Sequence, residues 1–186
     1  MNRLLVIVGS VRPVRTGLPI ARWVGALAEE AGWEVDLADL AELALPFMDE
    51  PNHPRLRDYQ HAHTIAWSER VDVADAIVLV TPEYNHSFSP ALKNALDYLS
   101  QEWWRKPVGV VSYGGVSAGT RGVTALTPVL VALGLVKTGA NVEIPFAGAL
   151  VADGVFTPTE KETAIAGHLL AELAELAPVL RPLQNR

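Results

Sequence analysis

Apolar runs of strand length alternate along this chain with stretches whose apolar residues recur every three or four positions. Two runs, Leu4-Leu5-Val6-Ile7-Val8 and Ala76-Ile77-Val78-Leu79-Val80, hold no polar residue. Such continuity marks strands buried on both faces of a parallel sheet. Further strands are read at Pro107 to Ser112 and at Val136 to Asn141, the latter followed by an extended piece from Val142 to Phe146. Trp33 to Leu37 differs, because Glu34 and Asp36 alternate with apolar neighbours. That alternation suits an edge strand. Strands separated by helical patterns are the signature of βαβ units, so the chain is expected to be α/β with a parallel sheet.

The helical stretches carry their own punctuation. The first starts at about Gly17 with Thr16 as cap, repeats Ile20, Trp23, Val24, Leu27 and Ala31 at helical spacing, and stops at Gly32. Pro19 falls in its first turn, where a missing N–H costs nothing. Asp39 to Arg57 is proline-rich and irregular, a long loop able to border a ligand, and a helix is read from Leu56 to Ala74. Ser89-Pro90 supplies a cap and first residue for a helix whose buried stripe is Leu92, Leu96 and Leu99. A helix from Thr120 to Leu133 contains Pro128, which should kink it. The last helix begins with Thr157 as cap, Pro158, and Glu160 completing a capping box, then buries Ile165, Leu169, Leu173, Leu176 and Leu180.

Length and composition narrow the functional classes. A chain of 186 residues is expected to form one domain, 1–186, with a substantial core. The net charge of −6 argues against non-specific affinity for nucleic acid or anionic membranes. With no cysteine, disulfides, thiolate metal sites and a cysteine nucleophile are excluded. Met1-Asn2-Arg3 leads straight into a strand-like segment too short for a secretory signal, and the apolar stretch Val123 to Val136 is too short to span a bilayer. A cytoplasmic protein is expected.

The chemistry concentrates in three turns that follow strands. Gly9 to Gly17 leaves a strand and enters a helix, so its backbone amides and the helix dipole favour an anion; Ser10 and Thr16 add hydroxyls, and Arg12 and Arg15 add guanidinium forks. It is neither a dinucleotide fingerprint nor a P-loop, and a solvated polar turn is the plainer alternative. Pro82-Glu83-Tyr84-Asn85 is rigid and offers an aromatic face, although alone it reads as an ordinary turn. Ser112 to Gly119 holds three glycines that let main chain approach a ligand or simply pack tightly. Ligands of open parallel sheets sit where the winding reverses. With all three turns there, a phosphorylated aromatic cofactor fits, and FMN is the natural candidate. His53, His61 and His63 read as solvated histidines rather than metal ligands, and His86 as a loop residue beside the ring site. Ser112 and Ser117 lack a nucleophile elbow. Lys93 and Asp97, four apart, form either a solvated pair or a contact across a subunit boundary.

Gly9-Ser10-x-Arg12-x-x-Arg15, the block from Thr81-Pro82-Glu83-Tyr84-Asn85 through Ser89-Pro90-Ala91-Leu92-Lys93-Asn94-Ala95-Leu96-Asp97-Tyr98-Leu99, and Lys106-Pro107 leading to Ser112-Tyr113-Gly114-Gly115 resemble the NADPH-dependent FMN reductase family. The resemblance runs from about residue 3 to residue 140. It implies a flavodoxin-like three-layer sandwich with a five-stranded parallel sheet in the order 2-1-3-4-5. It implies that Gly9, Ser10, Arg12, Arg15, Thr16 and the amides around Gly17 hold the FMN phosphate. Pro82, Glu83, Tyr84 and Asn85 would line the isoalloxazine, and Ser112, Gly114 and Gly115 would close its other edge. Arg121 matches an arginine often seen early in the fourth helix. NADPH or NADH would donate electrons to a small acceptor (free flavin, quinone, azo compound or metal ion), with no catalytic side chain and no metal. Members form homodimers or homotetramers, for which Trp103 and Trp104 would suit the contact surface. Two alternatives are a flavodoxin-type electron carrier and a regulatory protein that kept the fold without the flavin.

Overall fold

The computed structural model describes residues 2–184. Strands β1 (Arg3–Val8), β2 (Glu34–Asp39), β3 (Ala76–Pro82), β4 (Pro107–Tyr113) and β5 (Val136–Ile144) form one sheet in the order β2-β1-β3-β4-β5, all neighbours parallel. Helices α1 (Gly17–Glu30), α2 (Leu40–Leu43), α3 (Ala62–Asp72), α4 (Pro90–Asp97), α5 (Thr120–Ala132) and α6 (Glu160–Leu180) complete the layers, with a small hairpin of β6 (Val151–Ala152) and β7 (Val155–Phe156) before α6. The unbroken apolar runs are unbroken because both faces are covered. Leu4, Val6 and Val8 point into a core shared with α1 and α6, whereas Leu5 and Ile7 point into one shared with α3, α4 and α5. As its charged alternation predicts, β2 lies at an edge.

Three local expectations shift. The helix read from Leu56 starts at Ala62, because Pro54–Leu56 forms a separate 3-10 turn that Arg57, at φ 51°, ends in the left-handed region. The capping box belongs to Thr159 and Glu162, not to Thr157 and Glu160. Two overlapping frames compete there, and the Thr157 amide is taken by the Leu150 carbonyl at 2.8 Å, which ties it to the hairpin. The two extended pieces at the fifth strand are one element, with a register shift between Val108 and Val110 that sets Lys137 and Asn141 opposite them. Pro128 lies inside α5, which runs from Thr120 to Ala132 much as the sequence suggests.

The residues Glu160–Leu183 are long and apolar enough to cross a membrane by length and composition. In the fold, Leu169, Leu170, Leu173 and Ala177 of this segment are buried in the core instead. Leu169 packs on Gly109 in β4, where a Cβ would lie 2.6 Å from Leu169 Cδ2.

Candidate functional site

The turns after β1, β3 and β4 leave the same end of adjacent strands, and hydrogen bonds stitch them together. Gly9 N donates to Val80 O at 2.8 Å. Ser89 Oγ donates to Gly9 O at 2.5 Å and accepts from Leu92 N at 3.1 Å, so one hydroxyl both caps α4 and anchors the first turn. Gly114 approaches the second turn, a Cβ on it lying 3.8 Å from Glu83 Cβ, and Glu83 N donates to Tyr113 O at 3.2 Å.

In the first turn, Ser10 is buried and its Oγ lies 3.2 Å from Tyr84 Oη, a bond between two turns far apart in sequence. Thr16 occupies the cap position of α1, but its backbone is already helical and its side chain makes no capping hydrogen bond. The amides that open α1 therefore face the turn without a protein cap. The two arginines separate. Arg15 pairs with Asp39, whose carboxylate also accepts from Ala41 N at 3.0 Å and caps α2. Arg12 is exposed and borders a groove with Glu83, Tyr84, Asn85 and Lys93.

The second turn is a two-residue hairpin. Tyr84 N donates to Ser87 O at 2.8 Å and Ser87 N to Tyr84 O at 2.9 Å, with Asn85 at φ 48° and His86 at φ 68°. Two consecutive left-handed residues define a type I′ turn, which explains asparagine at position 85. The Glu83 carboxylate is held by the third turn and the start of α5. It accepts from Ser117 Oγ at 3.0 Å, Arg121 N at 3.2 Å and Arg121 Nε at 2.6 Å. Burial works to raise its pKa, but the hydrogen bonds and charge of Arg121 and Ser117 hold it below the usual range. Arg121 also donates to His86 Nε2 at 2.9 Å, which requires that nitrogen to be unprotonated.

In the third turn, Ser112 is fully buried and its Oγ donates to Ala118 O at 2.9 Å. The resemblance implies that Ser112 helps to close one edge of the ring, and its hydroxyl proton is committed inside the loop. Gly119, at φ 86°, packs on Ser112, where a Cβ would lie 2.8 Å from Ser112 Cβ. Gly115 meets open space, and its carbonyl accepts from Phe146 N at 3.1 Å.

The residue that sequence reasoning missed is Tyr113. Strand alternation turns it away from Ser112 and into the core beneath α1, with its hydroxyl against Gly17. That hydroxyl is buried and has no hydrogen-bond partner of normal geometry among the described residues. The available signal was its place as last residue of a strand, with a polar tip on the helix-facing side. The side chains of Tyr113, Thr16 and Ser10 thus surround the uncapped start of α1, and Gly17 leaves room that a Cβ would fill. Hydroxyls able to donate beside uncapped helix amides fit a phosphate.

Other readings change as well. Trp103 is fully buried and donates to Leu96 O at 3.0 Å, so it cannot serve a contact surface, and Trp104 packs on Gly134 with Arg105 over its ring. Lys93 pairs with Asp97 within α4. The histidines are not merely solvated. His63 Nε2 lies 3.1 Å from Asp49 Oδ1, His61 Nε2 lies 3.2 Å from Asp49 O, and His53 Nδ1 accepts from Arg55 N at 3.1 Å. With Tyr98 and Asn94, His61 and His63 hold the long loop against α3 and α4, while His53 caps the 3-10 turn within it.

A parallel sheet in the order 2-1-3-4-5, with turns gathered at the reversal beside β1 and β3, defines a flavodoxin-like protein. The NADPH-dependent FMN reductase family model matches residues 2–148, and the chain belongs to that family. It is 42% identical over 120 residues to an NAD(P)H-dependent FMN reductase of Schizosaccharomyces pombe, covering 63% of this chain and 60% of that protein. It is 30% identical over 198 residues to an NAD(P)H-dependent FMN reductase of a Nectria species, covering 97% and 98%. Among solved structures, the flavoenzyme NAD(P)H:(acceptor) oxidoreductase FerB of Paracoccus denitrificans superposes with a TM-score of 0.74 at 24% identity, over 97% of this chain and 99% of that one. That likeness concerns the fold.

Proposed function

We propose that the three turns hold FMN and that the protein is an FMN-dependent NAD(P)H oxidoreductase serving a small acceptor such as free flavin, a quinone, an azo compound or a metal ion. The observation that carries this reading is the uncapped start of α1 lying over a buried hydroxyl that lacks a hydrogen-bond partner among the described residues. Family membership and relatives named as FMN reductases and azoreductases support it. The amides around Gly17, with Ser10, Thr16 and Arg12, would hold the phosphate. Pro82, Tyr84, Asn85 and the main chain at Glu83, Gly114 and Gly115 would flank the ring. Arg15 keeps the adjacent Asp39 charge neutralised, so that it does not repel the phosphate. Bound there, FMN would supply the redox chemistry between NADPH or NADH and the acceptor. The chain's part is to grip, orient and shield, and no side-chain nucleophile is required.

A homodimer or homotetramer is proposed with this function, as the family resemblance implies. The test is purification followed by FMN titration, steady-state oxidation of NADPH and NADH with each acceptor, and light scattering. Yellow protein that turns over without a partner reductase is expected, at a mass above one chain. Flavin-free protein after soaking overturns the reading; bound FMN without turnover favours an electron carrier.

A further inference from the structure

Tyr113 ends β4, is 7% exposed and packs its ring in the core beneath α1. Gly17 opens α1 directly over it: a Cβ there would stand 3.1 Å from Cζ and 3.4 Å from Cε1, and would overlap the hydroxyl. The nearby Ser10 hydroxyl bonds to Tyr84 Oη and lies close enough to Tyr113 to favour its phenolate, but no hydrogen bond of normal length and angle reaches the Tyr113 hydroxyl among the described residues. Burying a hydroxyl unsatisfied is costly, and phenylalanine would fill the same volume without that cost. Burial also pushes the phenol upward, with Ser10 and the charges of Arg15 and Arg12 opposing in part, so the group stays a neutral donor at working pH. Around it are the helix-opening amides and the positive charges of Arg12 and Arg15, the latter already paired with Asp39. The missing element is an acceptor.

We infer that Tyr113 is a phosphate-positioning residue, its hydroxyl donating to the terminal phosphate of a flavin nucleotide at the start of α1. The inference rests on the flavin reading above and adds a specificity: the site selects riboflavin 5′-phosphate over riboflavin through this hydroxyl together with the turn. Tyr113→Phe tests it on the flavin-free full chain, with FMN, riboflavin and inorganic phosphate as separate probes. The substitution is expected to leave the apoprotein melting temperature unchanged or raised. It should weaken FMN binding roughly tenfold or more, as loss of a hydrogen bond to a charged group does, and leave riboflavin affinity unchanged. Inorganic phosphate should perturb the near-ultraviolet tyrosine absorbance of the wild type and not that of the variant. A variant that keeps the full preference for FMN over riboflavin overturns the role of Tyr113 while the flavin reading stands. So does an apoprotein that melts lower with FMN and riboflavin weakened equally, the mark of a packing role. A wild type with no affinity for either flavin overturns both.

Discussion

Losing the guanidinium of Arg15 would leave the Asp39 carboxylate, 1% exposed, without the cation beside it. Breaking a buried pair from one side is expensive, so Arg15→Ala should lower the stability of the flavin-free protein by about 3 kcal/mol. Arg12 is exposed in the same turn, and Arg12→Ala should change that stability by less than about 0.5 kcal/mol while weakening FMN. Chemical denaturation of both apoproteins, followed by FMN titration, separates the roles; equal stability losses would reject the division. Residue chemistry was legible where the local turn decides it. Ser89 as a cap and Asn85 as a turn residue follow from their neighbours. The partner of Arg15, the inward bond of Ser112 and the orphaned tip of Tyr113 depend on residues brought together by the sheet. No spacing along the chain encodes those.

At the scale of elements, the Glu83 carboxylate joins the β3 hairpin to the first turn of α5 through Ser117 and Arg121. Because its folded pKa is lowered from 4.5, the stability it contributes is present above that value and is lost as pH falls through the folded one. Glu83→Gln should therefore be less stable than the wild type at neutral pH by about 1–2 kcal/mol, with the difference shrinking below pH ~4. Denaturant unfolding of both proteins between pH 3 and pH 7 measures this, and a constant difference would reject the brace. Element existence was readable from the apolar runs, and the order of the sheet from the family block. Element ends were less so. Thr157 and Thr159 both head a Thr-x-x-Glu frame, and only the hairpin bond to Leu150 decides between them.

Across the whole molecule, the end of the sheet opposite the turns is held by a buried cation. Lys106 Nζ donates to Asp72 O at 2.8 Å and Ala74 O at 2.5 Å, closing the passage from α3 to β3. Burial pushes its ammonium from 10.5 down to about 8, against the pull of Asp72, Asp75 and Glu102. Between those two values the unfolded chain holds a proton that the folded chain has released. This group's contribution to stability therefore rises with pH across that window. The stability of the wild type relative to Lys106→Met should climb from pH 8 to pH 10, read by denaturant unfolding at each pH. A flat difference would mean that the lysine titrates as in water.

The bond from Ser89 Oγ to Gly9 O spans 80 residues, and the amide of Gly9 waits equally for Val80. A nascent chain on the ribosome therefore cannot finish its opening loop until the start of α4 has emerged from the exit tunnel. Any prosthetic group gripped by that loop must be captured late in synthesis or after release, and prematurely terminated fragments would compete poorly for a scarce cellular supply of it.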